Sequence, residues 1–165
     1  MNIEEKVEFL RKRHPAFGRR VLYDVDNKGN EFCEMIYPNE KNPKMPIAVS
    51  VSEEGFLVSV GQISNVTGHR PITAEQAASA IDDVVNDRII FVLGYADDVD
   101  VGSGAPFMTE LFAITGGEDD MSADLEAFIA KISTPVKGWK RRFTSLKGRF
   151  IITSFSGNTN TTIIR

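Results

Sequence analysis

Two acidic segments are the part of this chain whose residue types and spacing best suit binding. They hold six carboxylates: Asp97, Asp98 and Asp100 in the first, and Glu118, Asp119 and Asp120 in the second. Carboxylates held close together repel one another, and a cationic partner relieves that repulsion and is attracted at long range. We therefore predict that these six residues contact a positively charged protein. The alternative is that both segments are ordinary solvated loops.

The net charge of −4 conceals a separation of charge along the chain. Residues 89–130 contain nine Asp and Glu and no Lys or Arg, whereas residues 131–165 contain eight Lys and Arg and no Asp or Glu. Such asymmetry bears on partners and not on fold. One interpretation is that the two segments neutralise each other in space. The other is that one or both meet a charged macromolecule.

The basic segment near the C-terminus mixes cations with aromatic side chains. Its candidate nucleic-acid contacts are Lys137, Trp139, Lys140, Arg141 and Arg142. Cations can follow a phosphate backbone while aromatic rings stack on bases, so single-stranded nucleic-acid binding is the alternative hypothesis. The aromatic rings could equally anchor the segment to the core.

No metal or cofactor site is predicted. The segment from Asp98 to Gly102 begins like a calcium loop, but Gly102 occupies position 5, which needs a ligating side chain, and Thr109 stands where the bidentate Glu belongs. A single cysteine excludes a disulfide within the chain and a cysteine-based zinc site. The phosphate-binding patterns GxxxxGK[ST] and GxGxxG are absent from the sequence. We therefore expect neither a metal, a nucleotide cofactor nor a small-molecule substrate.

No residue is assigned a catalytic role, and we expect that the protein is not an enzyme. His69 lies in a loop where a general base would be accessible, but it has no evident partner. His14 follows the first helix, where an imidazolium would suit the helix dipole. Cys33 lies within a predicted strand and is expected to be a small core residue.

The elements that position these residues alternate in the order αββββαββαββ. Asn2 to Arg13 is a predicted helix with Asn2 as N-cap and Glu5 completing a capping box. A second helix opens at Thr73 with Gln76 at its third position, and a third opens at Ser122. The predicted strands are 19–26, 31–37, 47–51, 56–62, 89–95, 107–115, 150–155 and 161–164. Short connections imply antiparallel pairing, so the predicted fold class is α+β with mainly antiparallel sheets and about three packed helices.

Length and composition favour one globular domain over residues 1–165. The chain has 165 residues, of which 42% are hydrophobic and 25% charged. No apolar run approaches the length of a membrane span, and the N-terminus has no apolar signal-peptide core. We expect a cytoplasmic protein that does not contact a membrane.

The chain resembles the proteobacterial immunity proteins of contact-dependent growth inhibition systems, in the branch paired with EndoU-type RNase toxins. The resemblance lies in size, acidity, element order and three segments: residues 17–22 (FGRRVL), 47–52 (IAVSVS) and 88–93 (RIIFVL). It implies a cytosolic, bacterial, non-enzymatic protein that binds one cognate toxin and occludes its active site. It also implies a fold similar to the Whirly type of nucleic-acid-binding domain.

Overall fold

A computed structural model of the chain describes residues 1–61, 66–68, 70–95, 108–113, 126–130, 149–157 and 160–164. The chain divides into two compact units, Met1–Asn86 and Asp87–Arg165. The single domain expected over residues 1–165 stays a prediction.

The first unit is a four-stranded antiparallel sheet with helices on one face. Its elements are helix α1 (Ile3–Arg13), a 3₁₀ turn (Pro15–Phe17), strands β1 (Val21–Val25), β2 (Glu31–Tyr37), β3 (Ile47–Ser52) and β4 (Phe56–Val60), and helix α2 (Ala74–Val85). The strands lie side by side in chain order. Short hairpin connections produce this meander because each strand folds back on its predecessor.

Alternation along the strands builds the core of this unit. In β3, Ile47, Val49 and Val51 are fully buried, while the residues between them are only half-buried. The pairing register places buried residues of neighbouring strands opposite each other, and Cys33, for example, lies opposite Val51. Helices α1 and α2 cover this face with apolar side chains that include Leu10 and Ile81. The other face of the sheet carries no helix from the described residues of this unit.

Both helices begin with the predicted capping boxes. The side chain of Asn2 accepts a hydrogen bond from the backbone N–H of Glu5 at 2.9 Å, and the Glu5 carboxylate accepts one from the N–H of Asn2. Thr73 and Gln76 form the same reciprocal pair at the start of α2. These bonds satisfy N–H groups that a helix start leaves without partners.

The second unit contains another four-stranded antiparallel sheet, in the order β6-β5-β7-β8. Its strands are β5 (Ile89–Tyr95), β6 (Met108–Ala113), β7 (Arg149–Ser154) and β8 (Asn160–Ile164). Residues 126–130 are helical, within the third predicted helix. Strand β5 is a central strand and is buried along almost its whole length, as its continuous apolar sequence predicts. The α+β class with antiparallel sheets is confirmed.

Two predicted strand boundaries are wrong by two residues. Strand β1 begins at Val21 and not at residue 19, because the Arg11 guanidinium binds the carbonyl oxygens of Gly18 and Arg19 before the strand starts. Strand β4 ends at Val60, because Gly61 adopts a φ of 57° and donates its N–H to Pro46.

Candidate functional site

A groove of about 660 Å³ lies at one end of the first sheet, on the face opposite the helices. Two hairpin turns form its walls: the β1–β2 turn around Asp26 and the β3–β4 turn at Glu53 and Glu54. Its floor includes Phe32 and Leu57 with the hydroxyls of two serines. The register places these groups together, since Phe32 lies opposite Ser52 and Leu57 opposite Ser50.

The β1–β2 turn is organised by the carboxylate of Asp26. It accepts hydrogen bonds from the backbone N–H of Lys28 at 2.8 Å, from the N–H of Asn30 at 2.9 Å and from the Asn30 side chain at 2.9 Å. The bond from the Asn30 N–H, followed by the other two, holds the pKa of Asp26 below its ordinary value. Gly29 completes the turn at a φ of 85°.

The β3–β4 turn is fixed from three directions. Ser52 and Gly55 exchange backbone hydrogen bonds across Glu53 and Glu54. A side chain at Gly55 would place its Cβ 2.5 Å from the carbonyl oxygen of Ile72, so glycine is required there. Beneath the turn, the Lys6 ammonium donates to the carbonyl oxygens of Ser52 and Glu53. The two exposed carboxylates therefore project from a well-anchored turn.

The charge on the groove is predominantly negative. Its lining includes one cation, Lys28, and four carboxylates: Asp26, Glu31, Glu53 and Glu54. Within the part of the chain that the structure describes, none of the four lies within 4.0 Å of a Lys, Arg or His nitrogen. A concave surface with four carboxylates, one lysine and an apolar floor suits Lys and Arg side chains, whose aliphatic stems pack while their heads form ion pairs.

The site residues predicted from the sequence lie outside the described residues. These are Asp97, Asp98, Asp100, Glu118, Asp119 and Asp120 in the acidic segments, and Lys137, Trp139, Lys140, Arg141 and Arg142 in the basic segment. His69 also lies outside them. Their roles stay predictions, as does the question of whether the two segments neutralise each other.

His14 is a packing residue between the two helices of the first unit. It caps the C-terminus of α1 and is only 6% exposed. Its Nε2 lies 3.3 Å from the carbonyl oxygen of Ala78 and 3.8 Å from a carboxylate oxygen of Asp82. The distance to Ala78 is that of a hydrogen bond, in which the ring N–H donates to the carbonyl. The imidazole is therefore used within the fold and is closed to a substrate.

Cys33 is the buried core residue that the sequence predicts. It is completely buried in β2 between Tyr23 and Val51 of the neighbouring strands. Burial raises the pKa of its thiol above the ordinary value, and the charge of Arg11 opposes that rise. A thiol in this environment is a poor nucleophile because the thiolate is the reactive form.

Among the described residues, no group of three His, Cys, Asp or Glu side chains is arranged to hold a metal ion. In the same ranges, no helix is both long and apolar enough to cross a membrane.

Comparison with known proteins identifies no relative. The sequence matches no protein-family model and no curated protein, and no solved structure matches the fold. The site is therefore interpreted from its own geometry and charge.

Sequence reasoning did not identify the groove, although its parts carry visible signals. The Asp26–Asn30 and Glu53–Gly55 stretches are both recognisable as turns. Their carboxylates meet because the meander places both turns at the same end of the sheet. The signal that could have found the site is that pair of acidic turns combined with the predicted strand order.

Proposed function

We propose that this chain is an immunity protein, which binds a cationic nuclease toxin and blocks it without catalysing a reaction. The toxin class is the EndoU-type RNase of contact-dependent growth inhibition, and inhibition takes place in the bacterial cytoplasm. The observation that supports the proposal is the groove of about 660 Å³ with four carboxylates and a single lysine.

The chemistry of the groove suits the surface of an RNA-cleaving enzyme. Nucleases hold phosphates with Lys and Arg, so their clefts are positively charged. Carboxylates presented by Glu53 and Glu54 could take the place of phosphate oxygens in such a cleft, and complementary charge accelerates association. The half-buried Phe32 and Leu57 supply apolar contact, which gives affinity that salt does not screen.

The acidic segments expected from the sequence are a second, separate set of candidate toxin contacts. We predict that Asp98→Lys or Asp119→Lys weakens toxin binding and leaves the fold intact. Wild-type affinity in both variants would remove these segments from the interface.

The experiment that tests the proposal begins with the tagged protein, recovered from its native cells at low salt. The co-purifying protein is identified, expressed and assayed for RNA cleavage with and without this chain. The expected result is a basic RNase domain that one equivalent of this protein inhibits. Recovery of RNA alone, or of a partner whose activity is unchanged, contradicts the proposal.

Charge-reversal variants test whether the groove is the surface that contacts the toxin. Glu53→Lys and Glu54→Lys each replace an exposed groove carboxylate, and we expect each to weaken inhibition by roughly tenfold or more. Glu40→Lys is the matched control, because Glu40 is exposed and lies outside the groove lining. Equal effects of all three variants would indicate only long-range attraction, and the groove would not be the contact surface.

The alternative function, single-stranded nucleic-acid binding by residues 137–142, stays a prediction. It requires RNA binding with a steep dependence on salt, lost when Lys140, Arg141 and Arg142 are changed to Ala.

A further inference from the structure

Strand β1 is an edge of the first sheet, and among the described residues no strand covers its outer side. At the opposite edge, β4 is protected: Phe56 and Ile72 exchange backbone hydrogen bonds, and Val66 donates to Val58. No described residue pairs with β1 on its outer side. Its large apolar side chains are open to solvent, with Leu22 45% exposed, Tyr23 65% and Val25 54%. Natural edge strands with such side chains are usually covered or paired.

The backbone groups that β1 offers follow from the β1–β2 ladder. Asp26 donates its N–H to the carbonyl of Asn30. Hydrogen-bonded pairs recur at every second residue of an antiparallel ladder, so Asp26, Asp24 and Leu22 direct their backbone groups toward β2. Val21, Tyr23 and Val25 therefore direct their N–H and C=O groups outward. The Val25 N–H is already used, because it donates to the Asp24 carboxylate at 2.8 Å. Ahead of the strand, the Arg19 carbonyl is also used, because it accepts from Arg11.

We propose that two copies of this chain pair antiparallel through β1, about a two-fold axis at Leu22. In this register Val21 of each copy lies opposite Tyr23 of the other, and the two pairs exchange N–H and C=O bonds. Arg19 would lie opposite Val25, where the carbonyl of the first and the N–H of the second are occupied within their own chain. The ladder therefore uses the free backbone groups and ends where the occupied ones begin.

Charge selects the same register. Leu22 and Asp24 share the face opposite the helices, because side chains alternate along β1. The same alternation, continued one residue ahead of the strand, places Arg20 on that face. An antiparallel copy places Leu22 against Leu22 and each Arg20 against the partner's Asp24, in closely spaced pairs that are not hydrogen-bonded. Arg20 is exposed and forms no ion pair with another described residue. A shift of two residues would instead set Leu22 against the charged side chain of Asp24 in one direction or of Arg20 in the other.

The product is a continuous sheet in which each copy contributes four strands. A two-fold interface of this kind is self-complementary and closes after two copies, so no fibre follows. The inference does not depend on the proposed immunity function.

Sedimentation equilibrium with charge variants tests the pairing. The wild-type chain is expected to dimerise, and Arg20→Asp or Asp24→Arg should each raise the dimer dissociation constant by about tenfold or more. The double variant, and an equimolar mixture of the two single variants, should regain dimerisation because opposite charges face each other again. Lys41→Asp and Glu40→Arg are matched controls in an exposed loop and should leave the constant unchanged. A monomeric wild type, or failure of both charge restorations, would overturn the proposal.

Disulfide trapping tests the position of the axis. Cα atoms in closely spaced antiparallel pairs lie about 4.5 Å apart, within the range that a disulfide spans. Leu22→Cys should therefore give a covalent dimer on mild oxidation. Ile36→Cys is the control, because Ile36 is 42% exposed on the same face but one strand inward. Cross-linking of both variants, or of neither, would overturn the two-fold arrangement at Leu22.

Discussion

The Lys6 ammonium lies 2.6 Å from the carbonyl oxygen of Ser52 and ties helix α1 to the β3–β4 turn. It also donates to the Glu53 carbonyl at 2.7 Å and lies 5.9 Å from the centre of the Phe56 ring. Only 7% of Lys6 is exposed, so these bonds form almost out of contact with water. Hydrogen bonds from a charged donor are stronger than neutral ones, and burial makes their loss costly.

Changing Lys6 to Met should lower the free energy of unfolding by about 2 kcal/mol. Methionine preserves the aliphatic length but removes the ammonium that donates to the carbonyl oxygens of Ser52 and Glu53. The Ser52 carbonyl then keeps only its bond from the Gly55 N–H. Urea denaturation followed by circular dichroism measures the change. Lys12→Met is the control on the same helix, where Lys12 is exposed, and it should alter stability by no more than about 0.5 kcal/mol. Equal stability of the two variants would mean that the Lys6 bonds contribute nothing.

The Asp26 turn should make the first hairpin sensitive to acid. Hydrogen bonds, above all from the Asn30 N–H, lower the pKa of Asp26 below 3.8 in the folded chain. The stabilisation that the ionised Asp26 carboxylate contributes is present above the pKa of Asp26 in the unfolded chain. It is lost as the pH falls through the pKa of Asp26 in the folded chain. NMR titration of the carboxyl carbon should give a midpoint below 3.8.

The matched comparison is the pH dependence of stability in Asp26→Asn. That variant cannot titrate at residue 26, so its stability should fall less than that of the wild type between pH 5 and pH 2. An Asp26 midpoint at or above 3.8 would show that the turn does not favour the carboxylate.

Local signals explain why so much of the fold is predictable. The capping boxes at Asn2 and Thr73, the glycine of the β1–β2 turn and the alternation in β3 each act within a few residues. Lys6 shows where such signals fail. A lysine is ordinarily exposed, and the burial of Lys6 depends on carbonyls 46 and 47 residues away.

The candidate groove could not be predicted from the sequence for the same reason. Each of its walls is a recognisable turn, but their proximity is a property of the sheet register. The net charge of the chain segments indicates residues 89–130 as the candidate interface. The groove carboxylates instead lie in residues 26–54, where acidic and basic residues are mixed. A charge count along the chain cannot detect carboxylates that only the folded sheet brings together.

The Cys33 thiol should be protected from alkylation. It is completely buried, and burial raises its pKa above 9.0, so both access and thiolate formation are suppressed. At pH 8 we expect iodoacetamide to react at least about 100-fold more slowly in native protein than in urea, because reaction requires local or global opening. An exposed thiol introduced by Ile36→Cys in the same sheet should react rapidly in native protein. Similar native rates for both thiols would contradict the burial of Cys33.

Titration of the Cys33 thiol should lower the stability of the fold at alkaline pH. Because the folded pKa is raised, the stabilisation is complete below the unfolded value near 9.0 and is lost as the pH rises through the folded value. Cys33→Ala should remove this component, so the fall in its stability between pH 8 and pH 10 should be smaller than in the wild type. Parallel falls would assign the alkaline loss to other groups, such as Tyr95, whose pKa burial also raises.

Asp87 joins the start of the second unit to its β7–β8 turn. Its carboxylate accepts a hydrogen bond from the Ser156 backbone N–H at 2.8 Å and another from the Ser156 hydroxyl. Asp87 adopts a φ of 54°, a conformation that Asp tolerates better than most residues with a side chain. The side-chain bonds and the backbone geometry therefore both favour aspartate at this position.

Substitutions at residue 87 should separate these two contributions. Asp87→Ala loses both hydrogen bonds and keeps the unfavourable φ, so we expect a loss of about 2–3 kcal/mol in the free energy of unfolding. Asp87→Gly loses the same bonds but relieves the backbone, and it should be about 1 kcal/mol more stable than Asp87→Ala. Ser156→Ala removes the hydroxyl bond alone and should cost about 1 kcal/mol. If Asp87→Gly and Asp87→Ala were equally stable in urea denaturation, the backbone conformation would carry no cost and the carboxylate alone would explain the aspartate.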